Sequence, residues 1–314
     1  MATEVLDPRV YCDFAGLVKL QSQVHAFSFL PKMQAATVMS GRHSSRFRGR
    51  GLNFEELRHY QLGDDIRNLD WKVTVRTGKP HVRMYTEEKD RNVLLAVDQR
   101  SGMFFSSTEV MKSVVAAEIA SLSGWRVLKD NDRVGFNIAT PNYIVHQKSQ
   151  RSQNDLLREL RLLARYNQAL SVESVDVPQV QFSDWIKRIA QLKLKATTIV
   201  IISDWHDTTE QDIKHIQHLQ RHNDVLSVLI SDPMEESLPQ TVSKKNWVIG
   251  DGHYQLSLDT SNKVLEANKT LQAQSNLKRE QLIKIMAMNK MPLIELDTSG
   301  EHIKQFKRAM GGVI

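Results

Sequence analysis

Asp98 and Asp204 are the residues through which this chain could do chemistry. Asp98 ends the apolar run of residues 93–97, and Asp204 ends the run of residues 197–203. Short unbroken apolar runs suit strands covered on both faces. In open α/β sheets, ligands bind in the crevice beyond the carboxyl ends of such strands. Asp207 lies three residues beyond Asp204. Grouped carboxylates can position divalent cations for phosphoryl chemistry, so a metal-dependent hydrolase using Asp98, Asp204 and Asp207 is one reading. The residues after Asp98 oppose it. They run Gln99, Arg100, Ser101, Gly102, and a guanidinium this close can grip a carboxylate with two bonds and fill the space a cation needs. We expect Asp98 to pair with Arg100 or another cation, and tight Mg²⁺ binding to be lost. With Arg100 turned to solvent, Asp98, Ser101, Asp204 and Asp207 would instead hold a weak ion.

Other constellations are weaker. His206 stands beside Asp207, and His215, His218 and His222 follow on a helical stretch. His218 and His222 share a face at ligand spacing, but no HExxH pattern accompanies them, and solvated helix polarity is the simpler reading. The basic tract from Arg42 to Arg50 also includes Arg46 and Arg48 and contains no acid. It could act as a phosphate-binding arm of a nucleic-acid binder, yet no recognised nucleic-acid fold accompanies it. There is no GxxxxGK[ST] phosphate loop and no nucleophile constellation, so we expect neither an enzyme nor a cofactor.

The elements that must hold these residues alternate strand and helix from residue 91 onward. Strands are expected at 93–98, 133–139, 197–203, 225–230 and 292–296, with 142–146 pairing beside the second. Helices are expected at 109–129, 152–166, 184–194, 209–222, 261–289 and 301–310. Ser152 with Asp155 and Thr209 with Asp212 resemble capping boxes, and Ser183 a further cap. Residues 247–258 read as an antiparallel hairpin around Asp251-Gly252. The pattern is that of βαβ units: an α/β, doubly wound, mostly parallel sheet. Before it, residues 13–29 carry Leu17, Leu20, Val24 and Phe27 at helical spacing, a docking helix. Val73 and Val75, then Val82 and Met84, alternate around Thr77-Gly78-Lys79-Pro80, which predicts two strands and a tight turn. Arg58, Arg67 and Arg76 lie among Glu55, Glu56, Asp64, Asp65 and Asp70, which predicts an ion-pair network. We divide the chain into an N-terminal extension (1–90) and an α/β domain (91–314) with the hairpin inserted at 246–258.

Composition bounds the rest. The 314 residues carry 42 Lys and Arg against 36 Asp and Glu, a net charge of +6, mild enough to permit acidic partners without requiring them. The single cysteine, Cys12, reads as a packing residue in a reducing compartment. No signal peptide or membrane-length apolar run is apparent, so a cytoplasmic protein without membrane insertion is expected.

One combination of residues is specific. Gly51 to Glu56, Arg58, Tyr60, Gly63-Asp64-Asp65, Arg67, Asp70-Trp71 and Arg76, followed by Tyr85, Glu87-Glu88, Asp98, Ile202-Ser203-Asp204 and Asp232-Pro233 with Glu235 and Leu238-Pro239, resemble the bacterial family filed as domain of unknown function 58. The C-terminal part of that family is similar to von Willebrand factor type A domains. The resemblance implies a type A-like sheet and a metal-ion-dependent adhesion site whose first loop is Asp-x-Ser-x-Ser. Here Arg100 and Gly102 replace the serines, Asp204 stands at the third position, and no Thr is found for the second, so the site at Asp98, Arg100, Ser101, Gly102 and Asp204 reads as degenerate. The resemblance further implies a MoxR-type AAA+ ATPase as partner, with this chain as non-enzymatic adaptor or co-chaperone for a protein client. The motif residues Glu55, Arg58, Tyr60, Gly63, Asp64, Asp65, Arg67, Asp70, Trp71 and Arg76 are then the candidates for partner binding.

Overall fold

Val93 to Val97 cannot face water on either side, and the chain covers both. In the computed structural model these residues form β4 (Asn92–Asp98), and every residue after Asn92 is buried. The structure describes residues 6–27, 43–45, 52–62, 64–87, 90–172, 180–239, 247–250, 255–258, 261–288 and 293–311. The chain divides into two compact units, Met1–Ala36 with Asn92–Ile314, and Thr37–Arg91.

The smaller unit contains β1 (His43–Ser45), β2 (Leu52–His59) and β3 (His81–Glu87) in the antiparallel order β1-β3-β2. Between β2 and β3 the expectation of two strands needs correction. Residues 82 and 84 lie in β3, but Val73 and Val75 lie in a helix, Trp71–Thr77. Its ends explain this. Asp70 caps the start, its side chain accepting from the Val73 amide at 3.1 Å. Gly78 closes the other end in the left-handed region at φ 68°, a conformation cheap only for glycine. Two strong caps outweigh the strand preference of two valines.

The larger unit is built on a six-stranded sheet. With β4, it comprises β5 (Arg133–Ala139), β6 (Ile144–Gln150), β7 (Thr197–Ser203), β8 (Asp224–Ser231) and β11 (Leu293–Asp297). The order is β11-β8-β7-β4-β5-β6. All neighbours are parallel except the edge strand β6, antiparallel to β5. Two groups of helices bury its faces: Phe14–Lys19, Lys112–Lys129, Gln153–Gln168 and His302–Ala309 pack among themselves, as do Phe182–Gln191, Glu210–Gln220 and Ser261–Met288. The expected hairpin forms from β9 (Trp247–Gly250) and β10 (Gln255–Leu258); its Asp251-Gly252 turn lies outside the described residues. No described helix is long and apolar enough to cross a membrane.

The larger unit begins at Asn92 and also takes in residues 1–36, which the sequence division assigns to the N-terminal extension. The N-terminal helix, Phe14–Lys19 with a 3-10 continuation over Leu20–Ala26, belongs to the sheet's core, where Leu17, Leu20, Val24 and Phe27 are all buried. Polar groups fix the docking. Ser121 Oγ and Trp125 Nε1 both donate to the Leu17 carbonyl, at 2.7 and 3.2 Å, and the Cys12 amide donates to Asn167 Oδ1 at 2.8 Å. Burial pushes the Cys12 thiol up, so it stays protonated. Ser183 is not a cap either: its hydroxyl donates to Asp212 Oδ2 at 2.8 Å, and Gln181 holds the N-cap position.

Candidate functional site

The strand order reverses between β4 and β7, and Asp98 and Asp204 meet at that switch point. Asp98 is fully buried. Its Oδ1 accepts from the Arg100 amide and from Arg100 Nε, both at 3.0 Å. Its Oδ2 accepts from Arg100 Nη2 at 2.9 Å and from Ser203 Oγ at 2.7 Å. A carboxylate has about four acceptor positions, and here each has a donor from the chain. Arg100 is itself held in place, 5.7 Å above the Phe182 ring. Burial works against its charge, but Asp98 beside it more than offsets this and its pKa is raised. Ser203 also joins the two loops, since its Oγ accepts from the Trp205 amide at 3.0 Å.

Asp204 is paired with a second buried cation. Lys112 Nζ donates to Asp204 Oδ2 at 2.7 Å and to Glu235 Oε1 at 2.5 Å, and lies 5.7 Å from the Phe105 ring centre. The His206 amide donates to Asp204 Oδ1, and Lys278 Nζ to its backbone carbonyl, both at 3.0 Å. Burial alone would raise the Asp204 pKa, yet Lys112 and then Lys278 hold it below the usual carboxylate range. The loop carries strain beside this contact: Trp205 and Asp207 both have positive φ, 57° and 60°. Such residues cost roughly 1–3 kcal/mol and persist where surroundings fix them. The buried Trp205 ring is fixed by Nε1 donating to the Val228 carbonyl at 3.3 Å.

The third strand end repeats the theme. Asp232, just past β8, accepts from Ser107 N and Oγ at 2.7 and 2.5 Å, from Thr298 Oγ1 at 2.7 Å and from the Met234 amide at 2.9 Å. Three adjacent strands therefore end in carboxylates engaged by the chain's own donors.

Arg100 does pair with Asp98. The proposed carboxylate trio is not assembled: Asp207 is exposed and contacts His206 at 3.1 Å. Among the described residues no three His, Cys, Asp or Glu side chains are grouped to hold a metal. Ser101 opens a 3-10 turn, Ser101–Met103, with Gly102 exposed beside it. His218 and His222 are exposed. In the small unit, Arg58 pairs with Asp64 at 2.7 Å, but Asp70 pairs with Arg83 at 2.8 Å and not with Arg67 or Arg76. Asp65 caps the Ile66–Asn68 turn through the Arg67 amide, and the Tyr60 amide donates to the Pro80 carbonyl. Trp71 and Arg76 are exposed. Glu55 lies in β2; Gly63 and Arg42, Arg46, Arg48 and Arg50 lie outside the described residues.

Sequence reasoning missed Lys112 and Lys278. Lys112 did leave a signal. It is the first residue of its helix, where the macrodipole disfavours a cation, so its presence there pointed to a carboxylate partner.

The family described as "Protein of unknown function DUF58" matches residues 56–281. Similar proteins include Uncharacterized protein Mb1516 of Mycobacterium bovis and Uncharacterized protein Rv1480 of Mycobacterium tuberculosis. Each is 25% identical over 221 residues, covering 70% of this chain and 68% of the relative.

Proposed function

We propose that this chain, which belongs to the family of proteins of unknown function DUF58, is a non-enzymatic interaction module. It works in the cytoplasm as an adaptor or co-chaperone of a MoxR-type AAA+ ATPase in the assembly or maturation of other proteins. The observation that carries this reading is the double pairing of Asp98 with Arg100 and of Asp204 with Lys112. Catalysis needs groups whose proton or charge responds to the reacting molecule. Buried carboxylates spent on buried cations of the same chain are instead a fixed scaffold. The strand order and the crevice at its reversal support a von Willebrand factor type A-like reading of the sheet. In such a module a bound cation would recruit an acidic group of the partner. With Arg100 and Lys112 built in, the crevice keeps its form without a borrowed ion, and recognition passes to the surface. The ATPase comes from the sequence resemblance.

The test is the ATP turnover of a purified MoxR-type ATPase with and without this chain, alongside co-elution in the nucleotide-bound state. A complex and a changed turnover support the adaptor reading; neither, with nucleotide present, contradicts it. Phosphoester hydrolysis with Mg²⁺ or Mn²⁺ that disappears on Asp98→Ala would establish the hydrolase in its place.

A further inference from the structure

We propose that the face around Trp71 and Val75 in the small unit docks an acidic segment of a partner protein that carries large apolar anchors. This deepens the interaction reading and rests on it in taking the ligand to be a protein. Four large apolar side chains stand in solvent over a short stretch: Leu62 is 102% exposed, Ile66 61%, Trp71 64% and Val75 82%. Trp71 and Val75 are four apart in the helix Trp71–Thr77 and so share a face. Isolated exposed apolar residues are ordinary, but a concentration of them marks an interaction site, and tryptophan is a frequent anchor of binding energy.

The charges around this stretch select the partner. Its acids are turned to structural work: Asp64 pairs with Arg58, and Asp70 pairs with Arg83 while capping the helix. Its cations are turned outward. Arg67, Lys72 and Arg76 are exposed, and none has a carboxylate partner among the described residues. Residues 37–91 hold twelve Lys or Arg against eight Asp or Glu. A rim of unpaired cations steers acidic partners and repels basic ones. A second copy of this chain, itself at +6, is thereby disfavoured. Nucleic acid would answer the arginines, but it would leave Leu62, Ile66 and Val75 without apolar counterparts, since phosphate contacts dominate such binding.

The experiment pans a random linear-peptide display library on the full chain and measures the recovered peptides by fluorescence anisotropy. The expected peptides combine Asp or Glu with Leu, Phe or Trp, and bind Trp71→Ala roughly tenfold or more weakly. The expected binding also falls with added salt and with Arg76→Glu. Because Trp71 is exposed, its truncation leaves the fold intact, which circular dichroism checks. Recovery of no peptide, recovery of basic peptides, binding indifferent to Trp71→Ala, or displacement of the peptides by a single-stranded oligonucleotide would each overturn the proposal. An ATPase that responds equally to wild type and Trp71→Ala would remove this surface and leave the adaptor reading standing. Peptides that need Trp71, with no effect on any MoxR-type ATPase, would do the reverse.

Discussion

Lys112 Nζ lies 2.7 Å from Asp204 Oδ2 across two elements that are 92 residues apart in the chain. With 2% of the Lys112 side chain in solvent, neither group has water to fall back on. Removing one partner of a buried pair leaves an uncompensated charge, which costs more than the pair itself contributes. Lys112→Met is therefore expected to destabilise the larger unit by about 3–5 kcal/mol. Urea unfolding checks this. The double variant Lys112→Met with Asp204→Asn should lose less than the sum of the single variants, because it removes both charges. Additive losses would mean the contact is not energetically coupled.

The same pair sets a pH dependence with a definite sign. The folded pKa of Asp204 lies below its ordinary 3.8. Its contribution is thus present above 3.8 and lost as pH falls through the folded value. The folded pKa of Lys112 lies above its ordinary 10.5. Its contribution is present below 10.5 and lost as pH rises through the folded value. The stability difference between wild type and the double variant should then be flat from 3.8 to 10.5 and shrink outside that window. A difference that changes steeply near neutrality would contradict the assignment.

The sequence made the sheet legible because β4, β7 and β8 are nearly unbroken apolar runs, and such runs admit few other fates. It made Arg100 legible because its partner is two residues away. Lys112 was harder, since its partners Asp204 and Glu235 are brought near only by the sheet's order. The helix Trp71–Thr77 is masked in the sequence by the alternation of Val73 and Val75, and its signal lies in the caps at Asp70 and Gly78. In a two-turn helix the ends contribute as much as the middle. The exposure of Trp71 could not be read at all: an aromatic residue beside a cap is buried or exposed according to tertiary packing.

Asp70 ties that helix to β3 through Val73 and Arg83. Asp70→Ala should speed amide hydrogen exchange across residues 71–77 while leaving β4 and β7 as protected as in wild type. Equal acceleration in both units would show that they unfold together.

Gly78 sits at φ 68° with open space where a Cβ would stand. Gly78→Ala should therefore cost only the backbone term, about 1–2 kcal/mol, read by thermal or urea unfolding of the full chain. A larger loss would reveal a contact beyond conformation.

Isothermal titration of Mg²⁺ into the wild-type chain, into Asp98→Ala and into Arg100→Ser tests most directly whether the chain's own cations have taken over the crevice. The expected result is no micromolar binding to the wild type, and binding that emerges only when Arg100→Ser vacates the Asp98 oxygens. Micromolar Mg²⁺ affinity in the wild type that vanishes on Asp98→Ala would contradict the account.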